Sequence, residues 1–342
     1  MTARYRRILV IDLLGGLGDL LLVLPAIRAL AHRHRSAMLH VLTHAPGASL
    51  LISDPDVTGV TAVEPAHEPV AVAETLDHWR PDLVVSTTRY GGIPDIIAAR
   101  DVRAVTDLWR SPPVQDRIDE RYLRILRDEG LVDSRVATPG GDTRDVHRTG
   151  IHLTADELDQ GERTAAAALT GRSGAPVVLL TTAGMAVKEW PTGHWDALAG
   201  QLTHERIPVL VCAEHRVRLP PGATLIPPTG LRGLAAIFRA IGRRGGVAVG
   251  ADTGPLRLAV AAGVRAVGLF GPTVRDRYGL PPGLGVNLQG LPGCPHRRPL
   301  AITEQSCWWT ADCPLSPEGP ACMADIPVPA VRAAVVDLLA TS

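Results

Sequence analysis

Residues 7–30 read RILVIDLLGGLGDLLLVLPAIRAL. An apolar run over 8–12 leads into a glycine-rich turn, and the turn into a long apolar helix, which is how a buried parallel strand hands over to its crossover. The same grammar recurs along the chain. Short runs rich in Val, Ile and Leu at 38–43, 83–86 and 103–106 alternate with longer amphipathic stretches. After Gly150 the alternation restarts, with strands expected at 177–181, 208–212, 246–249 and 266–269 and helices near 195–202, 231–241 and 255–262. Strands separated by helical crossovers imply two doubly wound α/β domains in tandem. The expected division is an N-terminal Rossmann-like domain over 1–150, a linker over 151–175, a second Rossmann-like domain over 176–328 and a closing helix over 329–342. Within the second domain, residues 281–329 turn rich in Pro, Gly and Cys and lose periodicity.

Length and charge narrow the class. At 342 residues the chain suits two domains of about 150 residues each. Its 35 acidic and 35 basic residues cancel, so no global field recruits nucleic acid or an anionic membrane. The arginines before the first apolar run precede a strand that meets Asp12 and GGLGD, which does not suit a signal peptide. No uninterrupted stretch of about eighteen apolar residues argues for a membrane span, and a cytoplasmic protein is the expectation. Arginine fills 34 basic positions and lysine only one, Lys188. Such usage suits a GC-rich genome of the actinobacterial kind, and a single retained lysine suggests a site that needs a compact ammonium.

Three stretches carry chemistry. Gly250-Ala251-Asp252-Thr253-Gly254-Pro255 follows an expected strand and opens a helix, so backbone N–H groups and the helix dipole converge where an anion would sit. Thr253 adds a hydroxyl, Gly254 lets a ligand approach the backbone, and Pro255 suits a first turn. An ordinary capped helix start reads the same way. Lys188 lies in an equivalent place, in TTAGMAVKEWPTGHW after the first strand of the second domain. Two phosphate-capable loops on one sheet edge describe a diphosphate site. In the first domain, Gly16-Leu17-Gly18 followed by Leu21 breaks the G-x-G-x-x-G spacing, which weakens any dinucleotide-oxidoreductase reading. Asp19, in the first turn of the following helix, has two readings: a base that takes a proton from a hydroxyl nucleophile, or a carboxylate that complements the dipole.

Together, ILVIDLLGGLGDLLLVLPAIRAL, TTAGMAVKEWPTGHW and GADTGPLRLAVAAGVRAVGLFGPT resemble glycosyltransferase family 9, the heptosyltransferases, in order and over nearly the whole chain. The resemblance implies a GT-B architecture, two Rossmann-like domains facing a central cleft, with the acceptor on the first and the nucleotide sugar on the second. It places Asp19 as general base and Lys188 on the donor diphosphate. Asp252, Thr253 and Gly254 match the D-[ST]-G stretch on the donor phosphates, and Thr181 and Thr182 match polar residues before the lysine. Glu214 matches an acidic residue near the donor ribose. Arg257 departs from the pattern, since the family has His there, and the loop over 182–188 is longer than in the lipopolysaccharide enzymes. Gly16 and Gly18 join the acceptor side, and Arg89 is added by its position after a strand.

The chemistry so implied is inverting transfer of a heptose from ADP-heptose to an acceptor hydroxyl, with no divalent metal. ADP-heptose is the family expectation, and GDP- or UDP-sugars fit the same phosphate loops. In a GC-rich organism without a lipopolysaccharide core, the acceptor would be a small molecule or glycan, such as a natural product. The single D-x-D, Asp54-Pro55-Asp56, reads as turn chemistry. Cys294, Cys307, Cys313 and Cys322 cluster in the irregular segment, where four thiolates would close a structural zinc or iron centre, free or paired thiols being the alternative. A catalytically silent nucleotide-sugar-binding scaffold and a sugar-nucleotide epimerase are the competing functions.

Overall fold

The structure is a computed structural model that describes residues 5–108, 116–133, 150–212, 219–227 and 229–341. By its internal contacts the chain divides into two compact units, Met1–Leu153 and Thr154–Ser342.

The first unit runs β1 (Arg7–Asp12), α1 (Leu17–Arg33), β2 (Met38–His44), α2 (Ala45–Ala48), β3 (Gly59–Val63), α3 (Glu68–Trp79), β4 (Leu83–Ser86), α4 (Ile93–Ala98), β5 (Arg103–Val105) and α5 (Ile118–Asp128). Its five strands are all parallel in the order β3-β2-β1-β4-β5. The central strands are buried on both faces, which is why they read as unbroken apolar runs. Leu9 and Ile11 meet Leu42, Val84, Ile93 and Ile97 in one cluster. Asp54-Pro55-Asp56 does form a turn, Asp54 accepting from the Asp56 N–H at 3.0 Å. Asp54 is also buried and takes a forked ion pair from Arg28 of α1, so this D-x-D ties the loop to the helix.

The second unit runs α6 (Ala155–Ala168), β6 (Val177–Leu180), α7 (Thr192–His204), β7 (Val209–Cys212), β8 (Thr224–Ile226), α8 (Leu231–Arg243), β9 (Val247–Ala251), α9 (Gly254–Ala261), β10 (Arg265–Phe270), α10 (Arg275–Tyr278), β11 (Gly285–Gln289), α11 (Ala321–Ala324) and α12 (Val328–Ala340). Its six parallel strands take the order β11-β10-β9-β6-β7-β8. In both sheets the winding reverses beside the first strand, between β1 and β4 and between β6 and β9. Such a reversal leaves a crevice at the carboxyl ends of the two strands.

The stretch 151–175, expected as a linker, holds α6, which opens on a reciprocal cap between Thr154 and Glu157. Arg232 of α8 grips Glu157 with two hydrogen bonds of 2.5 and 2.6 Å, and the pair pulls the Glu157 carboxyl down to about 2. Gly161 lets the helices touch, since a Cβ there would lie 2.4 Å from the Ala236 carbonyl carbon. Residues 154–168 therefore pack as part of the second unit. The non-periodic segment 281–329 likewise contains β11. Its residues GVNLQ are only half buried at the sheet edge, so they carry little apolar signal.

Candidate functional site

At the second reversal the chain leaves β6 through Thr181, which is half buried, and the exposed Thr182. It reaches Lys188 in a 3-10 turn over Ala186–Lys188. The neighbouring strand β9 pairs Gly250 with Leu180 and ends at Ala251, so Asp252 emerges beside that loop. Lys188 Nζ donates to the Asp252 carbonyl at 2.9 Å and lies 3.6 Å from its carboxylate. Thr253 is the N-cap residue of α9 with extended backbone and makes no side-chain cap, its hydroxyl instead donating to the Ala251 carbonyl at 3.3 Å. The first N–H groups of α9 are thus uncapped by Thr253, and Gly254 and Pro255 occupy the opening turn as the sequence suggested.

Arg257 lies one turn further, buried, with its guanidinium on the Asp252 carboxylate and on the Tyr278 carbonyl at 2.6 Å. It is committed inside the protein. Burial alone would raise the Asp252 carboxyl, but the charges of Arg257 and Lys188 outweigh it and hold the group below the usual carboxylate range. A buried carboxylate held by two cations, Lys188 from the loop after β6 and Arg257 from α9, fixes the geometry of the phosphate-capable turn. Glu214 lies outside the described residues.

At the reversal in the first unit, Gly16 is the N-cap of α1, Gly18 follows in its first turn, and Asp19 folds back over the loop. A Cβ at Gly15 would come within 2.9 Å of Asp19 Oδ2, so the carboxylate lies close over the loop backbone. The carboxyl end of β1 supplies a second acid that the sequence reading passed over. Asp12 is buried, accepts from Thr87 Oγ1 at 2.6 Å, and is pushed up to about 7 by its burial and by the Asp19 charge. Its signal was a charged residue closing a strand buried on both faces, a class of side chain that is seldom buried without a reason. Glu68 lies 3.8 Å from His44, and Tyr90 is pushed up to about 12 by burial and by Glu68, Asp12 and Asp19. Arg89 is exposed in the loop after β4.

The four clustered cysteines are free thiols. Burial, reinforced by the other three thiols, pushes Cys322 up to about 12, and burial likewise raises Cys307. Among the described residues no group of three or more His, Cys, Asp or Glu side chains is arranged to hold a metal ion, so the expected zinc or iron set is not formed by these residues as placed. Arg297 does the tying instead, reaching the carbonyls of Gly271 at 2.7 Å, Gly290 at 2.9 Å and Pro292 at 2.9 Å. The segment also contributes Trp308, whose ring centroid lies 5.3 Å from Lys188 Nζ.

Two all-parallel, doubly wound units in one chain are the GT-B architecture. Residues 150–291 match the model of glycosyltransferase family 9 (heptosyltransferase). The fold is similar to that of a family 9 glycosyltransferase from Veillonella parvula, with a TM-score of 0.76 at 14% identity over 100% of this chain and 99% of that one. It is also similar to E. coli ADP-heptose lps heptosyltransferase II, with a TM-score of 0.68 at 17% identity over 98% and 99% of the chains. A third similar structure, the iron-containing dodecameric glycosyltransferase TibC of enterotoxigenic E. coli, gives 0.63 at 15% identity over 99% of this chain and 77% of that one. No curated protein sequence matches the chain. Among the described residues no helix is long and apolar enough to cross a membrane.

Proposed function

We propose that the protein is an inverting, metal-independent glycosyltransferase that moves heptose from ADP-heptose to the hydroxyl of a small natural-product acceptor. The second unit would bind the donor and the first the acceptor. One observation carries the reading: Lys188 and Asp252 leave adjacent strands at the point where the winding reverses, beside the opening turn of α9. A cation and a helix N-terminus at one crevice are complementary to a diphosphate. Thr181, Thr182, Thr253, Gly254 and Pro255 line the same two loops, and Arg257 acts through Asp252 rather than on the phosphates.

In this mechanism Asp19 accepts the proton of the acceptor hydroxyl as that oxygen attacks the anomeric carbon. The bond to the departing diphosphate breaks on the opposite face, so the centre inverts. Lys188 and the α9 N–H groups stabilise the charge that develops on the leaving group. That supply of positive charge is the support for metal independence. The match of residues 150–291 to the heptosyltransferase family model supports heptose as the sugar. Asp19 and Glu68 bring negative charge to the carboxyl edge of the first sheet beside the buried Asp12, which supports a hydroxyl-bearing acceptor without phosphate groups. Incubating the protein with ADP-heptose, GDP-heptose or UDP-glucose and a panel of hydroxylated natural products tests the reading. Acceptor-dependent ADP release from ADP-heptose, with an inverted anomeric centre in the product, is expected. Nucleotide binding without turnover of any donor would leave a silent binding protein, and a changed sugar without acceptor would indicate an epimerase.

A further inference from the structure

Lys188 owes its position to more than Asp252. Its ammonium stands over the face of Trp308, 5.3 Å from the ring centroid, and Trp308 is 5% exposed whereas its neighbour Trp309 is 73% exposed. Trp308 lies in the cysteine-rich segment, which has almost no regular structure of its own, and yet the segment is held firmly. Its main chain turns back at Gln305, whose carbonyl accepts from the Trp308 N–H at 3.0 Å, and Gln305 is itself buried. Arg297 binds the carbonyls of Gly271 and Gly290, at the ends of β10 and β11. Gly290 packs so closely on the Cys322 carbonyl that a Cβ would lie 1.8 Å from that oxygen. A second tie joins the segment to the lysine loop, since Trp190, two residues after Lys188, donates from Nε1 to the Ile326 carbonyl at 3.0 Å.

A lysine side chain has four rotatable bonds, and an exposed one does not hold its ammonium in one place. Here one N–H is spent on the Asp252 carbonyl, and the electron-rich ring face closes another side of the cation. We propose that Trp308 is a positioning residue of the donor site, fixing the Lys188 ammonium so that it meets a diphosphate without further ordering. The proposal rests on the donor-site reading above. On this reading the irregular segment serves to carry one indole to one lysine.

The test is ADP affinity by titration calorimetry for the wild type, Trp308→Phe, Trp308→Leu, Lys188→Ala and Trp308→Leu/Lys188→Ala, each first checked for cooperative thermal unfolding without nucleotide. Trp308→Phe keeps a ring face and should bind within about twofold of wild type, while Trp308→Leu should bind about three- to tenfold more weakly. In the Lys188→Ala background the leucine substitution should have no further effect, because the ring acts only through the lysine. Should Trp308→Leu not unfold cooperatively, Trp308→Met takes its place as the non-aromatic variant. An equal loss in both backgrounds, or no loss in either, would overturn the proposal. If Lys188→Ala itself binds ADP like wild type, the donor-site reading fails first, and the two failures are told apart.

Discussion

Lys188 and Asp252 are 64 residues apart in sequence and joined by a 2.9 Å hydrogen bond, ammonium to carbonyl, across the reversal of the second sheet. Each lies on a loop that leaves one of two adjacent central strands, so the bond closes the crevice where a parallel sheet of this winding holds its ligands.

Asp19 is the base in the proposed reaction, and its removal should separate catalysis from binding. Asp19→Asn is expected to lower transfer from ADP-heptose by about 10²- to 10⁴-fold. Its ADP affinity should equal that of wild type, because in the proposed reaction the other unit holds the nucleotide. Steady-state rates beside a calorimetric titration check both parts.

Asp12 makes stability depend on pH in a definable direction. Its carboxyl titrates near 7 when folded against an ordinary value of 3.8, so folding takes up a proton between those values. The stability it contributes is complete below 3.8 and is lost as pH rises through about 7. Asp12→Asn keeps an acceptor for Thr87 and cannot titrate. Between pH 4 and 7 the variant should therefore gain stability relative to wild type, a trend read from urea midpoints at several pH values, with Asp19, Glu68, His44 and Tyr90 unchanged as the surrounding titratable groups.

Arg257 neutralises the buried carboxylate of Asp252. Arg257→Leu leaves Asp252 with Lys188 as its remaining cation. A loss of about 3 kcal/mol is expected, at the low end for breaking a buried pair. Adding Asp252→Asn should restore more than half of it. A thermal melt of both variants without nucleotide decides the matter.

Gly161 offers a test of how α6 is built into the second unit. An alanine for glycine exchange inside an exposed helix gains about 1 kcal/mol. Here the new Cβ would sit 2.4 Å from the main chain at Ala236, so the contact wins and Gly161→Ala should lose about 1–3 kcal/mol. The urea midpoint of the variant measures the sign.

The central strands were legible because burial on both faces leaves no room for polar alternation, and the readings at 38–43, 83–86 and 177–181 fall within a residue of β2, β4 and β6. Three of the four edge strands, β3, β8 and β11, were not. Their sequences GVTAV, TLI and GVNLQ are short and half exposed, so apolar patterning has little hold on them. Lys188 and Asp252 could each be singled out from their loops, but their contact follows from strand order, which no local pattern encodes. Asp12 looked like the end of a strand, and only the folded chain sets it beside Asp19 and sets Trp308 against Lys188.

The measurement to make first is the shift in melting temperature of wild type and Lys188→Ala with ADP, GDP and UDP. Ligand at a hundred times its dissociation constant adds about 2.7 kcal/mol of stability. ADP should raise the wild-type melting temperature more than GDP or UDP and leave Lys188→Ala nearly unmoved. No shift with any of the three, or an equal shift in the variant, would contradict a nucleoside-diphosphate site at Lys188 and Asp252.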